Sequence, residues 1–346
     1  MQYDIVIATR NRAQALALSL PLFAVQTHKP NRIIIVDASD NHSEIIDVAH
    51  HALDESAIAF DVLQSSVRSS AYQRNRGVQE VTAPIVMMPD DDSLWFSDTA
   101  EETIKIYQLD QGQRVGGVTA RSVLYSPMDV DTLSYKPASN VRLKALIQPL
   151  RGSVENRFFK QPFLVYADDL ASKMAPLTWS TPSLARRVNT VGGFRMSFRT
   201  DAIRSQKFDE LLGYTSGYCQ HEDMDASLRI QGQNLLLMSA ERSRVFHHSF
   251  PGKRSGGFKY GFGQIANYIY ICCKVIPRNS RAWGSFSRYM HYKIFLYSIR
   301  NDLHWNEVTK GAQFAWSNRA LLLDANLESL GSAFRSLCDL IPEPTE

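Results

Sequence analysis

The first 120 residues alternate between short apolar runs and helical stretches, and this alternation leaves few folds open. Apolar runs occur at Tyr3 to Ala8, Ile33 to Asp37, Ile58 to Leu63 and Ile85 to Met88. Between them, Ala13 to Gln26, Ser43 to Leu53 and Ser70 to Val81 have helical composition, the first interrupted by Pro21. Apolar runs of this length bounded by turn residues read as buried strands. Strands that alternate with helices build βαβ units around a mostly parallel sheet. The fold class expected is α/β: a single mixed, mostly parallel sheet flanked by helices. Ligands of such sheets bind where the carboxyl ends of the strands open into loops. Thr9, Asp37 and Asp90 all fall at or just past such an end.

Asp90, Asp91 and Asp92 follow the fourth apolar run directly. Three crowded carboxylates repel one another and call for a positive partner. Oxygen clusters of this kind suit hard cations such as Mg²⁺ or Mn²⁺. The triplet alone reads equally as an acidic turn capping a following helix.

From Arg121 to Asn189 six prolines break the pattern, which marks an irregular insertion. Order returns at Val191-Gly192-Gly193 and continues through Phe208-Asp209-Glu210 to the acidic group Glu222-Asp223-Met224-Asp225. Ala226 to Gln231 reads as helix with Gly232 as its cap, and Leu235 to Met238 as a further strand. The adjacent His247 and His248 follow, and then a helical C-terminal hundred residues. The expected organisation is an α/β domain over 1–250, with an irregular insertion at residues 121–190, and a helical, basic and aromatic region over 251–346.

A net charge of +3 hides an asymmetry: Arg242 to Arg300 holds 11 Lys/Arg, 13 aromatics and no Asp or Glu. Such a segment points to an anionic surface or ligand. Within it Trp283, Phe286, Met290, Ile294 and Tyr297 recur at helical spacing, flanked by Arg281, Arg288 and Lys293. That stripe is expected either to lie in a membrane interface or to pack on the protein. Lys253 and Arg254, in a Gly/Ser-rich segment, read as cations over a pyrophosphate or as an ordinary exposed turn. No apolar segment reaches bilayer-spanning length and no secretory leader is apparent, so a cytoplasmic location is expected, peripheral at the inner face of the membrane. Cys219, Cys272, Cys273 and Cys338 have no metal-ligand spacing and read as free thiols.

Eight motifs in order resemble the family-2 glycosyltransferases of the GT-A fold. They are Ile5-Val6-Ile7-Ala8-Thr9-Arg10-Asn11-Arg12, Gln26 before Pro30, Ile34-Ile35-Val36-Asp37, Gln73-Arg74-Asn75-Arg76-Gly77, Asp90-Asp91-Asp92, Met196-Ser197-Phe198-Arg199, Phe208-Asp209-Glu210 and Glu222-Asp223-Met224-Asp225. The resemblance covers residues 3–120 and 190–250. It implies a metal-dependent, inverting glycosyltransferase using a nucleoside-diphosphate sugar, a UDP-sugar foremost. The acceptor implied is a saccharide or lipid-linked saccharide in cell-surface polysaccharide synthesis. It further implies that Thr9, Arg10, Asn11, Asp37, Arg74, Asp90 and Asp91 contact the donor, with Asp90 at the ribose. Asp92 would ligate the metal, joined by His247 or His248; imidazole among carboxylates favours Mn²⁺ over Mg²⁺. Asp223, beside Glu222, would be the general base, and adjacent acids raise one another's pKa toward a useful value. The sequence departs from the family at Ala38, where a second acid commonly contacts the nucleobase; Asp40 stands nearby. Two other classes fit parts of the pattern: a nucleotidyltransferase, and a non-catalytic module gripping membrane or nucleic acid. No groove-reading motif supports nucleic acid as a partner.

Overall fold

In the computed structural model, residues 1–128, 158–214, 219–250, 256–300 and 302–342 are described. Lys253 and Arg254 lie outside them. The chain forms two compact units. One comprises residues 1–136, 170–209 and 222–252, the other residues 137–169, 210–221 and 253–346.

The first unit opens with β1 (Tyr3–Thr9), α1 (Ala13–Ala24), β2 (Arg32–Asp37), α2 (His42–Leu53), β3 (Ala59–Gln64), α3 (Ser70–Glu80) and β4 (Ile85–Pro89). The expected alternation is thus present, with ends moved by a residue or two. β3, β2, β1 and β4 are neighbours in that order and all parallel, so their carboxyl ends share one edge. After β4 the chain does not enter a helix. It turns through the aspartates into a short strand, β5 (Ser93–Trp95), and only then into α4 (Thr99–Leu109) and β6 (Val115–Val123). The helix-cap reading of the triplet therefore fails. Helix α5 (Pro162–Ala171) and strand β7 (Ala185–Val188) precede β8 (Arg195–Arg199), α6 (Thr200–Gln206), α7 (Glu222–Gln231) and β9 (Leu236–His247). β8 runs antiparallel between β4 and β6, and β9 pairs parallel with β6. β9 is far longer than the run Leu235 to Met238. Its polar second half escapes a hydrophobicity reading because it pairs by backbone with β5 and carries the chain to the site.

Both sheet faces are covered. Tyr3, Ile5 and Ile7 join Leu16, Leu20 and Phe23 of α1 in the core, each large aliphatic side chain contributing about 1.5–3 kcal/mol by burial. On the opposite face α3 approaches so closely that a Cβ on Gly77 would strike the Val6 side chain. This explains the glycine that ends the Gln73–Gly77 motif.

The second unit is helical: α8 (Gly257–Val275), α9 (Phe286–Ser298), α10 (Leu303–Ser317), α11 (Ala320–Leu323) and α12 (Leu330–Asp339). α8 and α10 cross at two glycines. A Cβ on Gly261 would meet the Val308 carbonyl, and one on Gly311 the Phe258 carbonyl. The stripe on α9 is turned inward. Phe286, Met290, Ile294 and Tyr297 are buried, and Trp283 stacks on Phe286 with ring centroids 4.8 Å apart. Of the two expected placements, packing on the protein is the one observed for these residues: helical periodicity reports burial without distinguishing protein from membrane as the covering phase. Phe295 and Ile299 are the large apolar side chains exposed at this end of α9. Among the described residues, no helix is long and apolar enough to cross a membrane.

Candidate active site

The turn after β4 carries three carboxylates with three different duties. Asp91 is buried. Its Oδ2 accepts the Thr9 hydroxyl at 2.8 Å and its Oδ1 lies 2.8 Å from the Arg12 guanidinium. Burial pushes its carboxyl up to about 7, against the opposing pull of Arg12. Asp92 is equally buried, yet its carboxyl is held well below the usual range. Desolvation is outweighed there by the His247 ring and the Arg12 charge. Asp92 Oδ2 takes Arg12 and the Phe250 N–H (3.0 Å), leaving Oδ1 facing His247 Nε2 at 3.1 Å. Arg12 also donates to the Phe250 carbonyl at 3.1 Å, so the backbone of residue 250 is fixed at both its polar groups. Asp90, a third exposed, reaches outward.

Arg12 is the cation that the crowded triplet requires. Its place at the end of the first-strand motif does not mark it for this role; the repulsion among three adjacent aspartates is the signal in the sequence that such a partner is needed.

Asp90, Asp92 and His247 each offer a ligand atom, all within 4.8 Å of one another. The His247 ring is held against Phe194 in a near-parallel stack, centroids 4.5 Å apart. Two carboxylates and one oriented imidazole fit a divalent cation that accepts mixed oxygen and nitrogen ligands. His248 does not belong to this group. Its N–H donates to the Asp92 carbonyl (3.1 Å) and its ring is buried near Phe246 and Phe250. Adjacent strand residues face opposite sides, so only one of the pair can reach the cluster.

Arg74, on α3, spans the site. One terminal nitrogen donates to Asp90 Oδ1 at 2.7 Å and the other to Glu222 Oε1 at 2.8 Å. Its neighbours in the motif serve the scaffold. Gln73 donates to the Thr9 and Val36 carbonyls at 2.8 and 2.7 Å, and Asn75 makes a two-way amide pair with Phe208. Arg76 pairs with Glu80 on the outer face of α3.

Glu222 and Asp223 begin α7. Burial raises Glu222 to about 7 against the pull of Arg74, with the Asp223 charge raising it further. Asp223 is raised as well, first by burial, while the Met224 N–H (2.8 Å) and Gly193 N–H (3.1 Å) hold its two oxygens in place.

Three of the expected donor contacts are bonded within the protein. Thr9 and Asp91 are buried against each other, and Asp37 is wholly buried. Asp37 Oδ1 accepts the Ser39 N–H (2.9 Å) and hydroxyl, and its Oδ2 lies 2.7 Å from His42 Nδ1. The Asp37 and Asp91 carboxylates and the Thr9 hydroxyl thus have partners within the loop network. Arg10 and Asn11 are exposed at the same edge. Asn11 has φ 54° and exchanges hydrogen bonds with Asp40: Nδ2 to Asp40 Oδ2 at 2.8 Å, and the Asp40 N–H to Oδ1 at 2.9 Å.

The doubly flanked sheet is that of a GT-A fold, and the metal-competent cluster and the buried acid pair lie at one strand edge of it. Residues 4–130 match the family described as "Glycosyl transferase family 2", which makes that stretch a family-2 glycosyltransferase segment. No curated protein sequence matches the chain. Among solved structures, S. aureus TarS 1-349 in complex with UDP-GlcNAc is similar with a TM-score of 0.54 at 10% identity, over 98% of this chain and 91% of that one. The mannosyltransferase PcManGT from Pyrobaculum calidifontis, in complex with GDP-Man and Mn2+, is similar with a TM-score of 0.50 at 15% identity, over 98% and 86%.

Proposed function

We propose that this enzyme transfers a sugar from a nucleoside diphosphate, a UDP-sugar foremost, to a saccharide or lipid-linked saccharide acceptor, with inversion and with Mn²⁺ as cofactor. The observation that carries the reading is the bridge through Arg74, which ties the Asp90 end of the metal-competent cluster to the acid pair on α7. Asp90, Asp92 and His247 would hold the ion, which when bound supplies positive charge to the leaving diphosphate. Asp223 takes the proton of the acceptor hydroxyl. That oxygen bonds to the anomeric carbon from the face opposite the diphosphate, and the carbon–oxygen bond to the diphosphate breaks. A carboxylate whose proton affinity is raised by burial is a better base for this step. Glu222, shared with Arg74, positions the pair. The solved relatives bind UDP, UDP-GlcNAc or GDP-Man, which supports a nucleotide-sugar donor.

A place in cell-surface polysaccharide synthesis, at the inner face of the membrane, is part of the same reading. Its support is the basic segment from Arg242 to Arg300, with Phe295 and Ile299 exposed near Arg288 and Arg300. Cations near an anionic leaflet contribute about 1 kcal/mol each.

The test is a thermal-shift panel of nucleoside diphosphates, each with and without Mn²⁺. Ligands of the native state raise apparent stability by mass action. A shift that requires both nucleotide and ion is expected; an unshifted melting temperature across the panel overturns the reading.

A further inference from the structure

Phe194 has no part in the proposed reaction, yet its ring and its peptide touch both halves of the site. It stands directly before β8, whose first residue, Arg195, pairs with Pro89 at the end of β4. The dipeptide Gly193-Phe194 is tied down on both sides. The Phe194 carbonyl accepts the Ser93 hydroxyl at 2.7 Å, and the same hydroxyl oxygen accepts the Asp90 N–H at 3.1 Å. The Gly193 N–H donates to Asp223 Oδ2 at 3.1 Å.

The ring of Phe194 is held as firmly as its backbone. It packs against the hydrophobic core, and the Arg195 guanidinium, which donates to the Ala120 carbonyl, lies 5.3 Å from its centroid. On this fixed surface the His247 imidazole stacks, centroids 4.5 Å apart and planes within 11° of parallel. His247 Nε2 thereby faces Asp92 Oδ1 at 3.1 Å, inside the metal-competent cluster, and the Ser249 hydroxyl lies 3.4 Å from Nδ1. A hydrogen bond to one ring nitrogen decides which nitrogen carries the proton. It fixes the plane of the ring less well, because the outer torsion of histidine is broad. A metal ligand must present its lone pair along one direction. Contact with a phenyl face supplies that restraint, since swinging the imidazole out of the stack drives its edge into the phenyl carbons.

Resting on the metal reading, we infer that Phe194 is a positioning residue of the metal centre: it holds the plane of His247 so that Nε2 stays turned into the cluster, and its peptide ties that alignment to Asp90 and Asp223. The two attachments are separable. The nitrogen ligand depends on the phenyl face, whereas Asp90 and Asp223 are reached through backbone groups of residues 193 and 194, which truncation of the side chain leaves in place.

The experiment is calorimetric titration of the full chain, saturated with UDP, with Mn²⁺ and separately with Mg²⁺. An imidazole ligand favours Mn²⁺ more than Mg²⁺. Phe194→Leu is expected to weaken Mn²⁺ binding about tenfold, the scale of losing a group that orients a ligand, and to leave Mg²⁺ binding nearly unchanged. Phe194→Tyr keeps the aromatic face and should bind both ions as the wild type does. In a His247→Ala background Phe194→Leu should cost nothing further, because there is no imidazole left to hold. Unchanged Mn²⁺ affinity in Phe194→Leu, equal losses for the two ions, or a full further loss in the double variant would overturn the inference and leave Phe194 a packing residue. The ratio of the two ions is read within one protein, so a general loss of stability does not enter it, and Phe194→Met repeats the comparison should the leucine variant fail to fold. A wild type that binds neither ion overturns the metal reading and the inference with it.

Discussion

Arg74 and Glu222, 148 residues apart in sequence, meet at 2.8 Å with both side chains nearly excluded from water. The guanidinium offers its second terminal nitrogen to Asp90. A lysine at this position carries the charge on a single nitrogen and lacks the fixed planar fork that spans the two carboxylates.

Arg74→Ala strands Glu222 as a buried acid without its counter-charge, and truncating one partner of a buried pair costs about 3–5 kcal/mol. Urea unfolding should show a loss of that order, with Arg74→Lys recovering part of it. A loss below about 1 kcal/mol would mean that the bridge is dispensable.

Asp92→Ala should abolish Mn²⁺-dependent binding of UDP while far-UV circular dichroism stays native. Asp92 turns Oδ1, the oxygen that faces His247, to the cluster, and Arg12 retains Asp91 as a partner. Unchanged Mn²⁺-dependent affinity in the variant, by calorimetry, would remove Asp92 from the ligand set.

Asp223→Asn keeps the side-chain volume and the acceptor oxygen for one backbone N–H but cannot take a proton. Turnover should fall by about 10² or more, the scale of general-base loss, with donor affinity maintained. Turnover and donor affinity falling in parallel would instead make Asp223 structural.

The raised Glu222 carboxyl has a signature in stability against pH. The folded state keeps the proton up to about 7, whereas an unfolded glutamate releases it near 4.3. Between these values the folded state binds more protons, so its contribution to stability is greatest at the acid end and declines as pH rises through the window. Glu222→Gln removes the decline and should gain stability relative to wild type between pH 5 and pH 8. Urea midpoints of both proteins that run parallel across this range would refute the assignment.

Met290 is wholly buried on α9. Met290→Ala should therefore destabilise by about 2–5 kcal/mol, as core truncations do, and leave co-sedimentation with anionic liposomes unchanged. Loss of liposome binding without loss of stability would return the stripe to the membrane.

The parallel strands were legible because β1, β2 and β4 each carry a run of apolar residues between turn residues, Ile5 to Ala8, Ile33 to Val36 and Ile85 to Met88, and both of their faces are covered. β9 was not: beyond Ala240 it runs Glu241-Arg242-Ser243-Arg244, and its strand character comes from its partners, not from its own sequence. At the site, chemistry-bearing residues could be found from charge and spacing, but their directions could not. Asp37, Thr9 and Asp91 have the composition of ligand contacts, and only the structure shows that each also has partners within the loop network. His247 and His248 are indistinguishable in sequence, and strand alternation separates them. Arg12 needed only the observation that three aspartates must be neutralised from somewhere.

The crossing of α8 and α10 bears on how this chain can diverge. Each missing Cβ at Gly261 and Gly311 faces a carbonyl of the opposite helix. A side chain that obstructs another side chain can be accommodated by a compensating change in its neighbour, but every amino acid brings the same carbonyl. No second substitution on the partner helix restores the space. A descendant with alanine at either position has to hold the two helices farther apart, and the residues packed around that crossing must be replaced as a group to fill the gap. Drift in the C-terminal unit is thereby channelled: the outward face can vary one residue at a time, while this crossing changes in a single concerted step or stays as it is.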